Sequence, residues 1–206
     1  MLNAISTIGY FFLLGYTIFL LKKHRKEFLT REQSESRGKW IAYAGLLAAL
    51  AVILQSSPVF LPVVGLALSP LSSLPVIIGT LLFADRVLPM FLAAAALLFL
   101  VNVQEAVIFL LTTGPLGLTA ALAVIPTIPF WRKSLVTTSL LTCGILLLTF
   151  LVGLPGLQNT VGSLNMPILL AIIAFSFLYS SLFMRIAIYS QNRMPAKLVH
   201  SYDEET

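Results

Sequence analysis

The chain has 206 residues, of which 58% are hydrophobic and 10% charged, with a formal net charge of +5 and a mean hydropathy of +0.96. These values exclude a soluble globular domain and a disordered chain, and they point to an integral membrane protein. The positive excess lies in polar segments between apolar runs, so it reports topology and gives no argument for a nucleic-acid partner.

All thirteen Lys and Arg residues fall in four places: KKHRKEFLTREQSESRGK at 22–39, Arg86, the pair Arg132 and Lys133, and the stretch 185–197. Short loops rich in Lys and Arg stay on the cytoplasmic side, and one helical crossing needs about 20 apolar residues. The expected path runs inward over 2–21, outward over 40–55, inward over 59–84, outward over 87–112, inward over 115–130, outward over 134–152 and inward over 166–188. This predicts an all-α integral membrane protein of about seven transmembrane helices in the cell membrane, N-terminus outside and C-terminus cytoplasmic.

The first apolar run precedes its positive charges, the reverse of a secretory signal, and it has no small-residue cleavage site. Residues 1–21 therefore read as a retained anchor helix, and 22–39 as a cytoplasmic basic linker long enough to let that helix sit apart. A six-helix membrane core at 40–190 and a cytoplasmic tail at 191–206 complete the organisation.

The second crossing opens with AYAGLLAALAVIL at 42–54. Ala44 and Ala48 are four apart, as are Gly45 and Ala49, which strips a helix face of bulk and permits close approach of another helix. Next comes QSSPVFLPVVGLALSPLSSLPVIIG at 55–79, with Pro58, Pro62, Pro70 and Pro75. Each proline removes a backbone donor and crowds the preceding turn. An irregular external lid is expected at 55–72, followed by a short helix over 73–83.

In NVQEAVIFLLTTGPLG at 102–117, Asn102 and Glu105 share a helix face, continued by Phe109 and Thr112. A carboxylate at membrane depth is costly unless it faces protein or water, which marks Glu105 as a functional candidate. Gly114 and Pro115 form a turn signal, with a new helix expected near Leu116. The external segment GLPGLQNTVGSLN at 153–165 adds Asn159 and Asn165 to the same side.

Chemistry-bearing sets are absent from the sequence: there is no HExxH, GxSxG, phosphate-binding glycine loop or intramembrane carboxylate pair. The chain is therefore expected not to be an enzyme and to need no cofactor or metal. Cys143 lies within an apolar helix, where it acts as a small hydrophobe, and His24 and His200 lie in polar cytoplasmic segments.

The order of these features, an AxxxA-bearing first core helix, a proline-rich loop ending in SSLPVIIG, a long helix ending in TGPLG and six core helices, resembles the substrate-binding S component of energy-coupling factor transporters. The likeness is closest to the riboflavin-type and related vitamin-binding members and covers roughly residues 38–190. It implies a subunit that captures a vitamin-like nutrient from outside and docks on a membrane coupling subunit and two ATPases, with Ala44 and Ala48 facing the coupling subunit. The extra helix at 2–21 departs from that family's six.

Ligand sites are mostly apolar concavities with a few placed polar groups, and Phe60, Asn102, Glu105, Thr112, Asn159 and Asn165 supply that mixture. With Glu105 the only external charge, a neutral or cationic ligand is favoured. Two other classes remain open: a non-transporting membrane scaffold or regulator, and a secondary carrier that uses Glu105 for proton coupling. The topology is checked by labelling intact cells with an impermeant thiol reagent. Cysteines placed at Ser34 and Gln191 are expected to stay unreacted and one at Asn159 to react, and labelling of position 34 from outside overturns the assignment.

Overall fold

Inside a bilayer each backbone N–H and C=O has to find its partner within the protein, so apolar runs of this length fold as helices. The computed structural model describes residues 2–24, 28, 37–84, 86–153 and 166–193. Its helices are α1 (Leu2–Lys23), α2 (Arg37–Phe60), α3 (Pro62–Leu68), α4 (Ser73–Leu82), α5 (Val87–Val101), α6 (Val103–Ile108), α7 (Gly114–Ala120), α8 (Phe130–Leu147) and α9 (Met166–Arg193). Short tight turns at Ser69–Ser72 and Ala121–Val124, and wide π-turns at Phe109–Thr113 and Leu148–Val152, extend several of these without a break.

Five of the resulting rods are long and apolar enough to cross a membrane: Gly38–Phe60, Pro62–Leu82, Val103–Val124, Phe130–Phe150 and Met166–Arg193, with the shorter apolar helix Val87–Val101 beside them. The protein is a helical, multi-pass membrane protein.

The prolines do less damage than their number suggests. Pro58 sits inside α2 and offers no N–H to the Leu54 carbonyl, but the Ser57 hydroxyl donates to that carbonyl at 2.6 Å. The expected irregular lid at 55–72 is therefore helical, with a single bend at Leu61, where Leu61 N–H still reaches Ser57 O at 2.8 Å. Pro62 occupies the start of α3, where a missing donor costs nothing. The short helix expected at 73–83 is present as α4.

The crossing expected over 87–112 divides earlier. Asn102 is extended (φ −159°, ψ 119°), and its side chain accepts from Gln104 N–H at 2.8 Å and Glu105 N–H at 3.2 Å, capping α6. The turn expected at TTGPLG is absent, because Gly114 and Pro115 lie inside the continuous rod 103–124. That rod ends instead at Ile125, ahead of the Pro126 and Pro129 turn.

The rod 103–124 keeps its continuity by means of the π-turn. Gly114 N–H donates to Phe109 O, five residues back, and Pro115 has no N–H. The Leu110 carbonyl thus loses both donors a helix normally offers it. Tyr10 of α1, 2% exposed, supplies the missing one, its hydroxyl donating to Leu110 O at 2.6 Å.

α1 accordingly does not stand apart from the core. It packs along α8, and Leu20 and Leu21 join the main hydrophobic cluster. Tyr10 packs with Leu140 and Leu147 of α8, and the same helix presents Gly144, where an added Cβ would fall on the Leu111 carbonyl.

One end of the bundle collects the basic residues. His24 Nδ1 lies 3.1 Å from Thr127 Oγ1, the Arg86 guanidinium lies 5.9 Å from the Trp40 ring centre, and Lys133 Nζ donates to Ala123 O at 3.0 Å. Lys22, Ala84, Val87 and Leu118 line one small cleft where these helix ends meet. Gly144→Val is expected to cost about 1–3 kcal/mol through overpacking, read as a lowered Tm. Gly45→Val, where a Cβ meets nothing within 4 Å, is expected to change stability by less than about 0.5 kcal/mol.

Candidate functional site

The site is built on α2. Gln55 lies 18 residues beyond Arg37, about 27 Å along the helix and hence far from the basic end. It is fully buried, and its amide is held by three other segments. Gln55 Oε1 accepts from Ser72 Oγ at 2.7 Å and from Thr113 Oγ1 at 2.7 Å. Gln55 Nε2 donates to Glu105 Oε2 at 2.8 Å.

Two hydroxyl donors on one side and a carboxylate acceptor on the other fix which way the amide points. Ser73 extends the seam by donating to the Thr113 carbonyl at 2.8 Å. Ser57 Oγ also lies 3.0 Å from Gly65 O, closing the α2–α3 bend beneath it.

Glu105 is only 9% exposed and is the one carboxylate among the described residues. The local sequence explains its orientation. In Asn-Val-Gln-Glu the glutamate occupies the third helical position, from which it commonly reaches back to the N–H of the capping residue. Here Asn102 N–H already donates to Leu98 O at 2.8 Å, so the Glu105 carboxylate is free to turn towards Gln55. Its other oxygen, Oε1, accepts no hydrogen bond among the described residues. The first turn of a helix also favours a negative charge.

Of the residues selected from the sequence, Glu105 enters this network directly and Asn102 supports it as the helix cap. Thr112 does not enter it: its hydroxyl donates to Ile108 O of its own helix at 2.7 Å. An uninterrupted helix brings position 112 over position 105, but the π-turn inserts one residue and Thr113 takes that place. Phe60 is 70% exposed at the end of α2. Asn159 and Asn165 lie outside the described residues. Ala44 and Ala48 are 7% and 2% exposed and belong to the chain's own core.

Periodicity alone missed Gln55, Ser72, Ser73 and Thr113. Gln55 was detectable as an amide within an otherwise apolar helix, once that helix is continued to Phe60. The capping signal Asn-x-x-Glu likewise marks the true helix start at Val103.

No protein-family model, curated protein or solved structure matches this chain. What the site does has to be argued from its geometry.

Chemically, the seam offers a carboxylate oxygen with no partner among the described residues, backed by an amide of fixed orientation. The rod's phase is tested with two neighbouring substitutions. Thr113→Val is expected to destabilise the protein by about 1 kcal/mol through loss of the Gln55 contact, and Thr112→Val by much less. Equal losses in thermal unfolding, or the reverse order, contradict the π-turn. Gln55→Leu removes the shared amide and is expected to cost more than either.

Proposed function

We propose that the chain is the membrane-embedded substrate-binding subunit of an energy-coupling-factor-type importer, taking a small nutrient from the external face. The observation that carries the reading is the convergence of Gln55, Ser72, Thr113 and Glu105 within an apolar bundle, at the end remote from the basic clusters. Polar groups at membrane depth are costly and are a default mark of function. By the positive-inside rule the basic end is cytoplasmic, so the seam belongs to the outer half. The order of motifs that resembles the S component adds the transport context.

The ligand is a neutral or cationic molecule. Glu105 supplies an acceptor or a counter-ion, and no described Lys or Arg lies at this end to hold a multiply anionic one.

Docking on a coupling subunit through α2 remains part of the proposal, with the face revised. Ala44 and Ala48 are occupied by internal packing, while Gly38, Ala42, Gly45 and Ala49 form an outward row of small residues on the same helix. Such a row lets another helix approach closely.

A proton-coupled carrier is the second reading, favoured by Glu105 being the one carboxylate among the described residues and buried. One variant separates the two. Native mass spectrometry of the purified chain identifies a retained small molecule, whose affinity is then measured for the parent and for Glu105→Gln. Loss of a charged hydrogen bond of about 1.5–3 kcal/mol corresponds to roughly ten- to a hundredfold weaker binding. Unchanged binding with loss of uptake driven by a pH gradient selects the carrier, and unchanged binding with unchanged uptake removes Glu105 from the site.

A further inference from the structure

Glu105 carries the one negative charge among the described residues, and only one of its oxygens is answered. Gln55 Nε2 donates to Oε2 at 2.8 Å. The polar side-chain atoms that are both enclosed and unpartnered among the described residues are Trp40 Nε1, Thr138 Oγ1, Ser176 Oγ and Ser180 Oγ. Glu105 Oε1 is unpartnered but does not belong to that enclosed set, so the 9% exposure that Glu105 keeps includes this oxygen. The turn that carries it is polar: Asn102 at its cap is half-buried and Gln104 is exposed.

Gln55 already gives the carboxylate a neutral donor, so what the group lacks is positive charge. A largely buried charge without an opposite one is costly, and the described Lys and Arg gather at the other end of the bundle.

The kind of cation follows from what a single open oxygen offers. A divalent metal takes about six or more oxygen ligands. Here Gln55 Oε1 is already taken by Ser72 and Thr113 at 2.7 Å each, and no three of His, Cys, Asp and Glu come together among the described residues. A guanidinium is held best by two parallel bonds to both carboxylate oxygens, and Oε2 is engaged. A quaternary ammonium has no N–H to donate. A primary ammonium is a compact point charge, small enough to take the place of a water at Oε1 and satisfied there by one acceptor.

We propose, on the nutrient-binding reading above, that Glu105 Oε1 anchors a primary ammonium group of the ligand, with the rest of the molecule lying outside the seam. Gln55 then sets the choice of cation. By occupying Oε2 it leaves one oxygen open and favours an ammonium over a guanidinium.

The test uses the full chain in non-ionic detergent, labelled with carbon-13 at the glutamate carboxyl groups. The Glu105 resonance is assigned by its loss in Glu105→Gln, and the other glutamates serve as internal controls. Ethylammonium, guanidinium, tetramethylammonium and ethanol are titrated separately at constant pH and ionic strength. Ethylammonium is expected to shift the Glu105 signal saturably, while tetramethylammonium and ethanol leave it in place and guanidinium acts only at higher concentration. Gln55→Leu frees Oε2 and is expected to raise the affinity for guanidinium relative to ethylammonium roughly tenfold, the gain of one more hydrogen bond to a charged group. Should that variant fail to fold, the order of the four probes on the parent chain decides the matter.

A Glu105 signal that no probe moves, or that ethanol, guanidinium or tetramethylammonium moves as readily as ethylammonium, overturns the proposal. A retained small molecule without a primary amine, found by mass spectrometry of the purified chain, overturns it as well but leaves the nutrient-binding reading standing. That reading falls separately, if Glu105→Gln changes neither the binding of the retained molecule nor uptake.

Discussion

A side-chain amide in a hydrocarbon environment has to be answered by protein, because no water is there to answer it. Gln55 meets this constraint by drawing a hydroxyl from the turn before α4, a hydroxyl from the π-turn and a carboxylate from α6. Three segments distant in sequence are thereby held at one depth. Dispersion packing of Leu and Ala faces tolerates sliding by a turn, whereas a buried amide held by three hydrogen bonds does not. The hydrogen bonds specify which residues of α2 meet which residues of the rod 103–124, and the apolar contacts fill in around them.

The same accounting governs the backbone. Proline removes donors at positions 58 and 115, and in each case a side-chain hydroxyl serves the deprived carbonyl: Ser57 for Leu54, and Tyr10 for Leu110. The first repair is local to α2. The second is made across the bundle, which explains why α1 sits against the core despite its polar linker. Where the backbones of α8 and the rod 103–124 meet, at Leu111, the neighbour is Gly144, since any side chain there would occupy the carbonyl's position.

Much of this was legible in the sequence. The apolar runs, the all-helical membrane class and the grouping of basic residues followed from composition and charge alone, and Glu105 stood out because a carboxylate is rare at such a position. The helix breaks were harder to place. Proline and glycine at 55–72 and 114–115 resemble loop signals, but whether a loop forms depends on whether some distant donor repairs the helix, and no local window contains Tyr10. Ala44 and Ala48 illustrate a related limit: a row of small residues announces close packing without saying whether the neighbour belongs to the same chain. The outward row Gly38, Ala42, Gly45 and Ala49 lies one residue round the helix from them.

The π-turn at Phe109–Thr113 has a consequence for how the two halves of its rod can change. A turn closed five residues back carries one residue more than an α-turn, so the residues beyond it are offset by about 100° from the phase they would otherwise keep. Glu105 and Gly117 therefore belong to two helical faces whose relative rotation is set by this one extra residue. Gly117 packs so closely on Val76 that a Cβ there would lie 2.6 Å from it. Removing a single residue between 109 and 113 would restore regular winding and rotate one face against the other. Either Glu105 leaves Gln55 or Gly117 leaves Val76, so the half of the rod that carries Glu105 can be retuned only while the extra residue is kept.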